Sequence, residues 1–478
     1  MKKMKIWNES WCQQMSFIFF LMLCVAMPWG TRLQFENQWT WYGGQFNEYL
    51  TYFVYLSAIL LGLVLLFWWL DMMIKFWRDG DWDDWTINPW SALTIIFLTL
   101  LTGWAWYSFL WAPVRDVTLF RAEELTGVWG MASYIVLVIK NDQSRWTKIV
   151  YALLFGLLIQ VGWGLGQYVV QHDFGWWWLG ESILGPLVEG VAKVDVGGGK
   201  LIRAYGSLPH ANIYGFYLWG WSVILSAYFL NGKNKWWTKF FGDQKWWKYG
   251  LLGMTIALVL LGILVSFSRT IWVASILVLV GIMLDGWQNK RLNSWITKWN
   301  KWDKQKIAGL FFILTVAVGV TLNWQVIAVR GEVDQLDQDI SVNTRKIYDE
   351  AANVMIEKRY YNGFGMGNFV YVLPYVSKNE LASWMYQPVH NTFKLIWAEI
   401  GVLGFLGYSL MWLALLGGIW SRNGVGRWQM LTIWMALIWL LLFDHYMWDI
   451  WQGELMFALL IGWLMVTNEQ NERKKSDD

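Results

Sequence analysis

Charge is scarce in this sequence. Only 15% of its 478 residues are Asp, Glu, Lys or Arg, against 56% hydrophobic and 19% aromatic. A soluble chain of this length would carry far more charge. The net charge of +3 is small and gives no reason to expect a nucleic-acid partner. Cysteine is nearly absent: Cys12 and Cys24 flank or enter the first apolar run, with no ligand spacing and no disulfide framework. There is no HExxH, no paired-Cys motif and no close His pair in the chain, so neither a metal nor another cofactor is expected. The seven prolines (Pro28, Pro89, Pro113, Pro186, Pro209, Pro374 and Pro388) read as helix ends or loops, with none in mid-span. No repeat relates the two halves. Transporters often build midplane sites from broken helices and internal repeats, so both absences weaken a carrier reading.

What the chain does have is a succession of apolar runs of membrane length. They predict an all-α, polytopic transmembrane bundle of about twelve helices in a single domain, 1–478. The expected spans are 14–29, 49–70, 91–111, 124–139, 149–170, 211–230, 249–267, 270–285, 307–328, 391–419, 429–443 and 452–466. The fourth is short and has Glu124 at its edge; the seventh and eighth form a tight hairpin around "SR". "MKKMK" before the first run resembles a signal peptide, but no small-residue cleavage site follows, which predicts a retained helix. Lys and Arg set the orientation: about 24 fall in the loops and tails of one side and about 13 in the loops of the other. By that bias both termini are cytoplasmic. The 42 tryptophans fit interfacial belts, with indole stacking on sugars as the alternative.

Two loops are long, and both fall outside: 171–210 and 329–390. In the second, "SVNTRKIYDEAANVMIEKRY" repeats Val342, Ile347, Ala351 or Ala352, Met355 and Ile356 at helical spacing, so a helix is expected to lie on or over the membrane. "NGFGMGNF" then supplies a glycine-rich turn.

Polar residues on the outer side are the candidates for chemistry. Arg269 stands in the hairpin "LVSFSRTIWV", Arg203 before the sixth span, Arg330 at the start of the large loop and Arg345 on its helix. Guanidinium groups grip phosphate through two bonds at once and keep their proton, so converging arginines suit a pyrophosphate; lipid-headgroup snorkelling is the plainer alternative. Four histidines, His172, His210, His390 and His445, fall outside, and each could be a general base. Asn391 reads as the cap of the tenth span. Lys394 and Glu399 lie within that span, where ionisable groups are costly. Glu399 is about 13 Å along the helix from His390, too far to orient it, and should meet a buried cation or a polar group from a neighbouring helix. Asp79–Asp84, "DGDWDD", contains an Asp-x-Asp but reads as a solvated charge run on the inner side.

Four stretches together resemble the O-antigen ligase and O-antigen polymerase superfamily of bacterial membrane glycosyltransferases. They are "RAYGSLPHANIYGFYL" (203–218), "FSRTIWVA" (267–274), "TRKIYDEAANVMIEKRYYNGFGMGNF" (344–369) and "HNTFKLIWAEIGVLG" (390–404). The resemblance covers about 200–405. "FDHYMWDIWQGELMF" also looks like the tail of some ligase-like members. Two departures are minor: Phe393 stands where the family has Leu, and His210-Ala211 precedes Asn212 where Pro is common.

The resemblance implies a metal-independent, inverting transferase. It would take a glycan from undecaprenyl pyrophosphate at the outer face of the cytoplasmic membrane. The acceptor hydroxyl would belong to a lipid-linked glycan, a core sugar of a lipid, or a protein. By the same resemblance, His390 is the base, Arg269, Arg345 and Arg203 hold the pyrophosphate, and Asn391, Glu399, His210, Asn212 and His445 support them. The alternative is a transporter or flippase of polyprenyl-linked glycans with a gate made of the same groups. An outer loop of about 62 residues favours the enzyme, since a carrier has no need of one.

Overall fold

Several helices begin where a side chain can take up their first free N–H groups. Ser10 accepts from the Gln13 N–H at 3.1 Å, Asn88 from Trp90 at 2.8 Å, and Asp142 from Ser144 at 2.8 Å and Arg145 at 3.1 Å. A computed structural model describes residues 10–79, 87–140, 142–196, 199–230, 246–288, 317, 320–321, 323–331, 340–378, 381–422 and 426–469. In chain order these form α1 (Trp11–Ala26), β1 (Arg32–Phe35), β2 (Tyr52–Tyr55), α2 (Leu56–Asp79), α3 (Pro89–Tyr107), α4 (Arg115–Tyr134) and α5 (Gln143–Val170). Then come β3 (Lys193–Val196), β4 (Gly199–Ile202), α6 (Ala211–Leu230), α7 (Trp246–Val265), α8 (Arg269–Gln288) and α9 (Trp324–Gly331). The last are α10 (Ile340–Lys358), α11 (Phe369–Val376), α12 (Thr392–Ser421), α13 (Arg427–Phe443), α14 (Tyr446–Asp449) and α15 (Trp451–Glu469).

The protein is mostly helical. Among the described residues, six helices are long and apolar enough to cross a membrane: Leu56–Arg78, Pro89–Leu110, Arg115–Ile139, Gln143–Val170, Arg269–Gln288 and Thr392–Ser421. Shorter apolar helices cover Trp11–Ala26, Met254–Val265, Arg427–Phe443 and Trp451–Thr467. The expected ninth span, 307–328, is described only at 317, 320–321 and 323–328, and the basic stretches 231–245 and 289–306 lie outside the described residues, as do 80–84 of the acidic run.

The all-α expectation needs a small correction. Two antiparallel hairpins occur in loops, β1 with β2 (Arg32 opposite Tyr55) and β3 with β4 (Lys193 opposite Ile202). Pro374, expected at a helix end or in a loop, lies inside α11. The fourth span starts at Arg115, so Glu124 is inside the helix and not at its edge. Arg121 lies one turn before it at 2.6 Å, and both side chains are buried. The pair lets a helix carry charge through the interior, where a lone carboxylate would be costly.

At the centre stands α15, with Trp451 to Val466 all buried. It packs on α4, α6 and α12, while α12 runs along α3 and α13 along α8. Helix α12 is not continuous. Ile400 and Gly401 leave helical geometry, Gly401 at φ 70°. The expected glycine turn fills the gap: Phe364 N–H donates to Ala398 O at 3.0 Å, Gly365 N–H to Glu399 O at 2.6 Å and Val402 N–H to Tyr360 O at 2.9 Å. The Trp104 indole donates to Ile400 O at 2.8 Å. Non-helical backbone inside a bundle needs such partners. Gly363 (φ 67°) and Gly401 are required there, because a Cβ would come within 2.3 Å of Glu399 O or 2.0 Å of Tyr361 O. This union seats the loop on the helix that His390 precedes.

Candidate active site

His390 and Asn391 stand at the mouth of α12. Asn391 caps it, its side-chain oxygen accepting from the Lys394 N–H at 3.1 Å. Lys394 pairs with Asp349 of α10 at 2.6 Å, tying the loop helix to the same mouth. Helix α10 forms as its spacing predicts and buries Ala351, Ala352 and Met355. Tyr348 is buried too, donates to Met385 O at 2.5 Å, and lies parallel to the His390 ring with centroids 6.0 Å apart. His390 is half-buried, and its Nδ1 is buried with no hydrogen-bond partner. The Nε of Arg345, one turn before Tyr348 on α10, is in the same condition. Both atoms thus have hydrogen-bonding capacity left for a ligand at this mouth.

The second wall is the corner between α13 and α15. His445 is buried there and meets His390 edge-on, centroids 4.8 Å apart at 86°. Its Nδ1 is 2.8 Å from Asp449 Oδ1, and its backbone N–H donates to Asp444 Oδ1 at 3.0 Å. Asp444 Oδ2 accepts from the Asn212 amide at 2.9 Å, and Asn212 Oδ1 accepts from Arg203 at 2.6 Å. Arg203 also donates to Ser266 O at 2.6 Å, in the α7–α8 hairpin. Arg269 opens α8 three residues later and is half-buried. His210 accepts at Nδ1 from the Asn212 N–H at 3.1 Å. On the far side, Tyr49 covers His445 with centroids 5.8 Å apart. Arg121 holds Asp449 O at 3.1 Å and Tyr49 O at 3.0 Å.

The electrostatics separate the histidines. Burial and the charge of His445 hold His390 well below its ordinary 6.5, with Arg345 and His210 adding to the effect and Asp444 opposing it. Burial and Arg203 push His210 down to about 4. Burial also works against a proton on His445, but Asp449 outweighs it and His445 is raised. Burial disfavours ionised Asp444, yet His390, His445 and Arg345 hold it below the usual carboxylate range.

The structure therefore brings together His390, His445, His210, Asn212, Arg203 and Arg345. His172 is exposed, its ring on the carbonyl of Asp173. Glu399, buried, meets a polar group and not a cation: it accepts from the Trp448 indole at 3.0 Å and from the Phe369 N–H at 3.4 Å. Arg203, expected to hold pyrophosphate, donates from its Nε to Ser266 O and from one Nη to Asn212. Sequence reasoning missed Asp444, Asp449, Tyr348 and Arg121. The signal was present for two of them: Asp444 and Asp449 stand one residue before and four after His445, the latter at helical spacing.

His390 is 54 and 55 positions from the adjacent Asp444 and His445, but nitrogen and oxygen atoms of the three fall within 4.8 Å of one another, a separation that would admit a metal ion. Both Asp444 oxygens already accept protein hydrogen bonds, and the guanidinium charge of Arg345 bears on all three residues. That arrangement fits proton chemistry better than cation binding.

Residues 254–409 match the family model described as O-antigen ligase. The match includes Arg269, Arg345, His390, Asn391 and Glu399 and ends before the Asp444–Asp449 corner. It supports membership of the O-antigen ligase and polymerase superfamily and a role of that type in polysaccharide assembly. No curated protein matches the chain.

Proposed function

We propose that the protein transfers a glycan from a polyprenyl pyrophosphate donor, undecaprenyl pyrophosphate, to an acceptor hydroxyl at the outer face of the bacterial cytoplasmic membrane. The observation that carries this is His390, whose buried Nδ1 has no hydrogen-bond partner, at the same helix mouth as Arg345, whose buried Nε has none. A neutral imidazole at such a site takes the acceptor's proton. The acceptor oxygen bonds to the anomeric carbon as the bond from that carbon to the pyrophosphate oxygen breaks. Attack from the face opposite the leaving group inverts the centre. Negative charge grows on the departing undecaprenyl pyrophosphate, where Arg345 and Arg269 meet it.

The reaction is metal-independent on this reading, since guanidinium charge stands where a divalent ion would otherwise serve. Transfer by the purified protein should survive EDTA. Activity abolished by EDTA and restored by a divalent ion would overturn that part and turn attention to His390, Asp444 and His445.

The break in α12 bears on the carrier alternative, because broken helices are a transporter device. Here loop backbone and Trp104 occupy the break, which leaves it without free groups of its own at Ala398–Ile400. Purified protein in detergent, without a vesicle or gradient, should convert a lipid-linked donor and acceptor to product. Movement of donor across vesicles with no transfer in detergent would replace the enzyme by the carrier. Product analysis after gene deletion distinguishes the acceptors: lost surface attachment indicates ligase, shortened chains polymerase.

A further inference from the structure

The Asp444–Asp449 corner lies beyond the matched segment, and the proposed transfer gives it no task. Its construction is specific. His445 is 4% exposed, and its Nδ1 is fixed by Asp449. A carboxylate on one ring nitrogen sets the tautomer and raises the basicity of the ring. Asp449 does not stand alone: Arg121 of α4 grips its carbonyl at 3.1 Å, Glu124 at 2.6 Å and Tyr49 O at 3.0 Å. The corner, α4 and the loop at Tyr49 thus converge to hold one imidazole, with its ring edge against His390.

Resting on the reading of His390 as base, we infer that His445, held by Asp449, is a positioning residue that carries the proton of the histidine pair and so keeps His390 unprotonated for the acceptor. Two imidazoles in contact inside a protein do not both charge readily, and the pair titrates as a unit. The neighbours decide which ring holds the first proton. His445 faces Asp449 and Asp444, with Tyr49 over its ring. His390 faces Tyr348 and Arg345 from α10, His210 from the mouth of α6, and Asp444 and His445 from the corner. The carboxylate in hydrogen-bond contact belongs to His445, and Asp444, shared between them, already accepts from Asn212. Each histidine responds in the corresponding direction, His390 down and His445 up.

The sign of the effect follows. In the native protein the acid limb of transfer, where His390 gains a proton, should lie below the ordinary imidazole value of 6.5. Removing the charge beside it lets His390 regain basicity, so the limb moves to higher pH. The experiment is a pH–rate profile of full-length protein in detergent with saturating lipid-linked donor, for native protein, His445→Gln, Asp449→Asn and His445→Lys. His445→Gln and Asp449→Asn should shift the limb upward by about one pH unit, so that activity falls about tenfold more at the acid end than on the plateau. His445→Lys keeps a positive charge and should leave the limb low. Donor binding should be unchanged in all three. A merely structural role would lower the rate by one factor at every pH. An unmoved limb in both His445→Gln and Asp449→Asn overturns the inference. If His390→Ala is inactive in the same assay, that result leaves the base reading standing; if His390→Ala is fully active, the base reading itself fails.

Discussion

The mouth of α12 and the corner before α15 each present a histidine to the same space, and the protein treats the two in opposite ways. At the mouth, His390 is half-buried, stacked on Tyr348, with a buried nitrogen that bonds to nothing. At the corner, His445 is buried, tied to Asp449 and backed by Arg121. One ring is left open to chemistry; the other is fixed by its neighbours. The environment moves the proton affinities of the two rings apart, and the proposed function uses that separation to give them different work. The arginines repeat the contrast. Arg203 is built into the corner through Ser266 and Asn212, whereas Arg345 keeps a buried Nε without a partner.

The largest effect expected on the mouth comes from its seat. Gly363→Ala puts a Cβ 2.3 Å from Glu399 O at φ 67°, so the turn must leave the break in α12. A loss on the order of 3 kcal/mol or more is expected, read as a lowered unfolding temperature in detergent together with lost transfer. Unchanged stability would mean that the turn and helix are not joined as described.

The arginines come next. Arg345→Ala should weaken binding of the lipid-linked donor by about ten- to a hundredfold with little change in stability, and Arg345→Lys should recover only part, lacking the planar fork. Arg203→Ala should instead destabilise the protein by about 2 kcal/mol, because it removes two charge-assisted hydrogen bonds and loosens Asn212 and Asp444. The reverse pattern would exchange their roles.

Stability against pH sharpens the account of the corner. His445 is raised, so its contribution is full below about 6.5 and is lost as pH rises through its folded value. Asp444 is lowered, so its contribution is full above about 3.9 and is lost as pH falls through its folded value. Thermal unfolding against pH should show both losses. Asp449→Asn should flatten the alkaline one and leave the acid one. An alkaline loss of native size in Asp449→Asn would remove Asp449 as the group that raises His445.

Much of this was legible in the sequence for physical reasons. Apolar runs set most helix positions, α10 followed from its period, and the positive-φ glycines of "NGFGMGNF" made the turn. The break at Ile400–Gly401 was hidden, since glycine is common within membrane helices and only the arriving turn shows that this one leaves helical geometry. Glu124 looked like an edge because its partner Arg121 could not be read as buried. His390 and His445 looked unrelated at 55 positions apart, and only the return of the chain at Asp444 brings them into contact. Part of the tryptophan excess also found a use: Trp104, Trp448 and Trp451 donate indole N–H groups to Ile400 O, Glu399 and Ser57 across packed helices. A large apolar ring with one donor suits an interior short of partners.

The smallest effect expected concerns the cap. Asn391→Ala should cost about 1 kcal/mol of stability and leave the acid limb of transfer in place, because the cap orders the helix and holds no proton. A shifted limb would bring Asn391 into the proton chemistry.

The most direct test of the central claim is donor binding measured beside transfer on the same preparation of His390→Ala, with its unfolding temperature as the control for folding. The account predicts that turnover falls at least about a hundredfold while binding of the polyprenyl pyrophosphate donor stays near native. Lost donor binding would place His390 in the pyrophosphate site and send the search for the base to His210 and His445; native turnover would contradict the account outright.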